Sequence, residues 1–149
     1  MNTSSSVSAH GSDASASINE RPTALANATE LAGRVLLASL FLLAGLSKLG
    51  ASGATTAYMS SAGVPGALLP VVIATEVLGA LVIILGWKTR VAATLLAGFS
   101  LLTALAFHNN FADQVQMIMF LKNVSIAGGF LLLVANGAGP LSLDRRFAK

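Results

Sequence analysis

Three fully charged side chains lie inside stretches otherwise dominated by leucine, isoleucine, valine and alanine. They are Arg34 in ELAGRVLLASLFLLAGLSKL, Glu76 in LLPVVIATEVLGALVIILGW and Lys122 in QMIMFLKNVSIAGGFLLLVAN. Lys48 stands at the end of the first stretch, and His108 follows another, RVAATLLAGFSLLTALAF. A carboxylate among ammonium and imidazole groups, away from water, suits proton transfer and recognition of an apolar molecule bearing carbonyl oxygens. In that reading Glu76 accepts or relays protons while Lys122 and His108 donate hydrogen bonds, which makes these three the candidate catalytic residues. Lys48, Arg34 and Asn123 are the candidate ligand-binding residues. Plainer readings stay open beside this one. Arg34 near a helix end snorkels to the interface, Lys48 anchors a helix there, and His108 beside Asn109 and Asn110 is a surface residue. Glu76 with Lys122 is then a buried pair that fixes helix register.

The rest of the inventory excludes much. There is no cysteine, so this chain builds no disulfide, thiolate metal site or iron–sulfur cluster. The sequence has no P-loop, dinucleotide-binding glycine motif, zinc-ligand spacing or nucleophile elbow. No metal site is expected, and no cofactor held by the chain's own ligands.

The elements that must position these residues follow from composition. The chain has 149 residues, 54% hydrophobic and 10% charged. Soluble domains carry about 25% charged residues, so this chain belongs in a bilayer. Four apolar segments, about 30–49, 68–87, 90–107 and 116–136, each approach the ~20 residues that cross a hydrocarbon core ~30 Å thick. Lipid offers the backbone no hydrogen bonds, so the segments are helices. Pro70 sits in a first turn, where its missing N–H costs nothing, and Gly137-Ala138-Gly139-Pro140 stops the last helix. Residues 1–29, with seven serines in the first twenty, read as a disordered tail, residues 30–144 as the transmembrane domain, and residues 145–149 as a basic tail. A rival reading makes the first apolar run a signal peptide cut near Ala51-Ser52-Gly53-Ala54; its leader is unusually long. The longer loop, Gly50–Ala67, holds a short interfacial helix at Thr55–Ser61.

The net charge of +3 reflects topology rather than nucleic-acid binding. Arg21, Lys88, Arg90, Arg145, Arg146 and Lys149 fall on one side, which places both termini in the cytoplasm of a bacterium and the chain in its inner membrane. The expected fold is all-α, an up-down-up-down four-helix membrane bundle. A charge at a helix centre costs about 2.5–3.5 kcal/mol to insert, against ~0.3–0.6 kcal/mol gained per large apolar residue. Each span therefore still inserts, and the charges are driven towards one another. Helical spacing gathers Arg34, Ala38, Phe41, Gly45 and Lys48 on one face; Glu76, Gly79, Ala80 and Ile83 on the next; then Ala97, Ser100, Ala104 and His108; then Lys122, Ser125 and Gly129. All four stripes are expected to face one axis. Glu76 lies ~12 Å and Lys122 ~8 Å below the outer surface at 1.5 Å per residue, so with Lys48 and His108 they form one outward-opening pocket. Arg34, nearer the cytoplasm, reaches Glu76 only by stretching upwards; which of Lys122, Lys48 and Arg34 pairs with Glu76 stays open.

The pattern from Glu30 to Asp144 resembles the DoxX family of small four-helix membrane proteins. The matching pieces are the Arg34 helix ending Gly45-Leu46-Ser47-Lys48, the Gly63-Val64-Pro65 turn, and Glu76 followed by Leu85-Gly86-Trp87-Lys88-Thr89-Arg90. His108, Lys122-Asn123 and the closing Gly137-Ala138-Gly139-Pro140-Leu141-Ser142-Leu143-Asp144 complete the set. The resemblance implies kinship with the membrane subunit of thiosulfate:quinone oxidoreductases and with proteins tied to redox-stress complexes or quinone handling. It transfers no catalytic residue set, and the lack of cysteine argues against direct sulfur chemistry by this chain. The leading expectation is a redox-associated subunit that binds a quinone or similar small apolar molecule, with electrons from a membrane or peripheral partner. The alternatives are a noncatalytic assembly subunit and, third, a small proton-coupled exporter. The expected partners are the lipid bilayer and a membrane or peripheral redox protein, with no nucleic acid; a second copy of the chain stays open.

Overall fold

The computed structural model describes residues 23–148, so most of the serine-rich tail lies outside the described residues. Within them the chain is helical, and four helices are long and apolar enough to cross a membrane. α1 runs Ala24–Gly50 and is capped by Thr23, whose hydroxyl accepts from the Ala26 N–H at 3.2 Å. It starts six residues before the expected Glu30, because the alanine- and leucine-bearing segment ALANAT extends the helix. Its 27 residues measure about 40 Å, longer than the hydrocarbon core, so one end stands clear of it.

α2, Ser52–Ser61, follows after a break at Ala51 and buries Met59; it includes the expected Thr55–Ser61. A single 3₁₀ turn at Gly66–Leu68 leads into α3, Leu69–Leu85, with Pro70 in its opening turn. α3 stops at Gly86, whose φ of +68° is left-handed. The Gly86 N–H bonds to Ile83 O at 3.1 Å and the Trp87 N–H to Val82 O at 3.1 Å, a closing pattern that meets the last carbonyls. A Cβ at position 86 would lie 2.5 Å from Ser142 Cβ and 2.8 Å from an Arg34 nitrogen. Both the angle and the space therefore demand glycine. α4, Thr89–Phe107, begins after the left-handed Lys88. α5, Gln114–Asn136, is capped by the Asp113 carboxylate, which accepts the N–H groups of Val115 at 2.8 Å and Gln116 at 3.2 Å. A short α6, Leu143–Phe147, follows the glycine-rich stop.

α1 packs along α3 and α4 along α5, while a narrower contact between α3 and α4 joins the two pairs. The shared core is mostly small residues around aromatics: Ala38, Ala80, Ala93 and Ala97 surround Phe41 and Phe130. Phe41 meets Phe130 edge-on at 5.3 Å between centroids. Three predicted stripes point inward, with Arg34, Ala38, Phe41 and Gly45 buried on α1, Glu76, Ala80 and Ile83 on α3, and Ala97, Ser100 and Ala104 on α4. The fourth does not. On α5 the buried residues are Ala127 and Phe130, and Lys122 and Ser125 are exposed. Seating Phe130 against Phe41 sets the rotation of α5 and leaves Lys122 about a quarter turn off the buried face.

Candidate functional site

Gly45 controls where the first charged pair forms. A Cβ there would lie 2.6 Å from a Val77 methyl and 3.1 Å from Glu76 Cβ, so its absence lets α1 and α3 approach closely. Lys48, one turn further along α1, then reaches Glu76. Its Nζ lies 2.8 Å from Oε1 and 2.9 Å from Oε2, with a third hydrogen bond to Ala44 O at 3.3 Å. All three ammonium donors and both carboxylate oxygens are thereby engaged. The Glu76 side chain is 7% exposed and that of Lys48 25%. This is the one ion pair among the described residues, and it sits in the half of the bundle that carries α2.

The other expected members of the pocket lie elsewhere. Lys122 makes no ion pair among the described residues; its ammonium donates to Met119 Sδ at 3.3 Å on an exposed face of α5. Its expected meeting with Glu76 gives way to Lys48, which α1 delivers without the quarter turn that α5 would need. His108 ends α4, and its Nδ1 is hydrogen-bonded to Gln116 Oε1 at 2.8 Å, bridging the α4–α5 loop. The Asn123 amide donates to Met119 O at 2.9 Å, half-buried.

Arg34 neither snorkels nor reaches Glu76. It is 2% exposed, and its guanidinium donates to the carbonyls of Ala138, of Ile84 at 3.3 Å and of Leu141 at 2.7 Å. One side chain of α1 thus satisfies a last-turn carbonyl of α3 and two from the segment after α5. These are carbonyls of the kind that helix ends leave open. Sequence reasoning missed the companion role of Asp144. Its carboxylate accepts the N–H groups of Lys88 at 2.6 Å and Thr89 at 2.8 Å, its own N–H donates to Gly86 O at 2.8 Å, and so the tail caps the start of α4. Burial works against the Asp144 charge, but the Thr89 and Lys88 N–H groups and the Arg34 guanidinium outweigh it and hold the carboxyl below its ordinary value. The only signal in the sequence was Asp144 at the close of the family-like segment, which does not say what it caps.

A four-helix bundle with an ion pair in one half and an arginine lock in the other defines a small multi-pass membrane protein. The chain belongs to the DoxX family: the family model described as DoxX matches residues 29–109. It is similar to the inner membrane protein YqjF of Escherichia coli (strain K12), 48% identical over 119 residues, covering 80% of this chain and 92% of that protein. It is also similar to the inner membrane protein YphA of the same strain, 42% identical over 123 residues, 78% of this chain and 88% of that one. No solved structure matches. With its four candidate spans, the chain is a multi-pass protein of the inner membrane.

Proposed function

We propose that this chain is a redox-associated subunit that holds a quinone, or a similar small apolar carbonyl compound, at the Lys48–Glu76 pair. The observation that carries the reading is the pair itself, an acid and a hydrogen-bond donor engaged in two bonds and open on the lysine side. A buried pair kept for packing alone is often replaced by apolar residues at no loss of stability. Register between α1 and α3 is also already fixed by the close approach at Gly45 and by Arg34. In this reading Lys48 exchanges its long bond to Ala44 O for one to the ligand's carbonyl oxygen, and the carboxylate takes up or passes on a proton as charge develops. Reducing a quinone to the quinol consumes two electrons and two protons. The electrons come from a partner protein with its own cofactor, and the protons pass by Glu76. With the basic residues of the terminal end facing the cytoplasm, the pair opens into the outer leaflet.

The test is titration of decylubiquinone into purified protein in lipid nanodiscs. Glu76→Gln and Lys48→Met variants with unchanged helical circular dichroism bind at least about tenfold more weakly, the cost of one charge-assisted hydrogen bond. Undiminished binding by both would overturn the reading.

A second reading, a noncatalytic assembly subunit, is favoured by the exposed face of α5. Lys122, Ser125 and Gly128 lie open there, with nothing within 4 Å of the position of a Gly128 Cβ. Small residues admit a close neighbouring helix, and a lysine at this depth calls for a polar or acidic group on it.

A further inference from the structure

Between α3 and α4, on the side away from the ion pair, runs a groove of about 420 Å³. Ala74, Leu78 and Val82 wall it on α3 and Val91 and Leu95 on α4, with buried Ala92 and Leu96 beneath. Leu78, Val91 and Leu95 are exposed, so the groove opens sideways, where acyl chains lie. From Ala74 to Val82 its α3 wall runs about 12 Å at 1.5 Å per residue, and Trp87 and Lys88 continue it to the terminal end. That length is close to half of a hydrocarbon core of ~30 Å, the depth of a single leaflet.

Its lining is mostly apolar along α3 and α4, and its end at Trp87 and Lys88 is cationic. Lys88 lines the mouth with its ammonium 5.7 Å from the Trp87 ring centroid. The backbone there is pinned, because the Lys88 N–H is held by Asp144 and its φ is +44°. The tail latch thus fixes the backbone from which this positive charge extends, at the end of an apolar slot. We propose that this groove binds one acyl chain of an anionic glycerophospholipid, with the lipid phosphate against Lys88. Charge complementarity selects the occupant: a lipid with no net charge fills the slot equally well but gains less at its mouth. The inference does not rest on the quinone reading, since no residue is shared with the Lys48–Glu76 pair.

Native mass spectrometry of the full chain in detergent, with added phosphatidylglycerol or phosphatidylcholine, tests it. Wild-type protein retains phosphatidylglycerol about 5-fold more than phosphatidylcholine, the factor that ~1 kcal/mol per interfacial basic residue gives. Lys88→Asn keeps a residue at ease in the left-handed region and abolishes that preference while leaving phosphatidylcholine retention unchanged. Ala74→Phe fills the inner end and lowers retention of both lipids. Equal retention of the two lipids by wild type, an undiminished preference in Lys88→Asn, or unaltered retention by a folded Ala74→Phe protein would each overturn the assignment. So would displacement of bound phosphatidylglycerol by decylubiquinone.

Discussion

Arg34 and Lys48 share one face of one helix, yet they meet different kinds of partner. Lys48 finds a side chain of opposite charge, while Arg34 finds backbone carbonyls from two other parts of the chain. A planar guanidinium with five donors serves several acceptors at once, and a lysine ammonium cannot span them. Replacing Arg34 by methionine leaves the carbonyls of Ala138, Ile84 and Leu141 unsatisfied. Only the bond to Ala138 is fully buried, so at about 1–3 kcal/mol per buried group the variant loses that much, read as a lower midpoint in sodium dodecyl sulfate titration; Arg34→Lys recovers only part of it. Asp144 supplies a pH dependence. Its carboxyl is held below the ordinary value in the folded chain, so its contribution is complete above about pH 4. That contribution is lost as pH falls through the lower folded value. The protection of the Lys88 and Thr89 amides, taken as exchange relative to the intrinsic rate at each pH, therefore falls on acidification below pH 4. In Asp144→Asn it is already low at neutral pH, and a cap of this kind accounts for about 0.5–2 kcal/mol.

At the level of elements, the close approach of α1 and α3 depends on Gly45. Gly45→Leu forces the helices apart at Glu76 and Val77, so the lysine no longer reaches both carboxylate oxygens. A loss of about 1–3 kcal/mol follows from overpacking alone, seen in the same denaturant titration. Removing only Glu76 strands the Lys48 charge, whereas Lys48→Met with Glu76→Leu removes both charges and regains most of the stability. The spans themselves were legible in the sequence, because a bilayer forces apolar stretches of this length into helices. The inward faces of α1, α3 and α4 were legible too, since small and polar or charged residues share one stripe on each. The partner of Glu76 was not: spacing along a helix gives the face a residue occupies, but not how neighbouring helices are rotated. α5 shows why. Its polar stripe suggested one inward face, and the seating of Phe130 against Phe41 chose another. The acceptors of Arg34 were hidden for a different reason, as backbone carbonyls carry no signature in residue type.

For the molecule as a whole, two helix pairs joined by a narrower seam leave α5 with much of its surface turned outward. The absence of cysteine gives a clean background for probing that surface. Ser125→Cys carrying a thiol-linked photo-crosslinker captures a neighbouring helix in membranes if α5 docks against a partner, and Leu36→Cys on an exposed face of α1 does not. Equal yields from both positions would reduce the α5 face to ordinary lipid-facing surface. The arginine lock also sets an order on biosynthesis. Arg34 enters the bilayer with the first helix to emerge, but Ala138, which receives its guanidinium, follows 104 residues later. Until Ala138 and Leu141 leave the ribosome, that cation has no final home and the bundle stays unsealed. A stop codon just before Ala138 would spare every span and still leave a protein marked for quality-control proteolysis, whereas a reporter fused beyond Ala148 would be carried without harm.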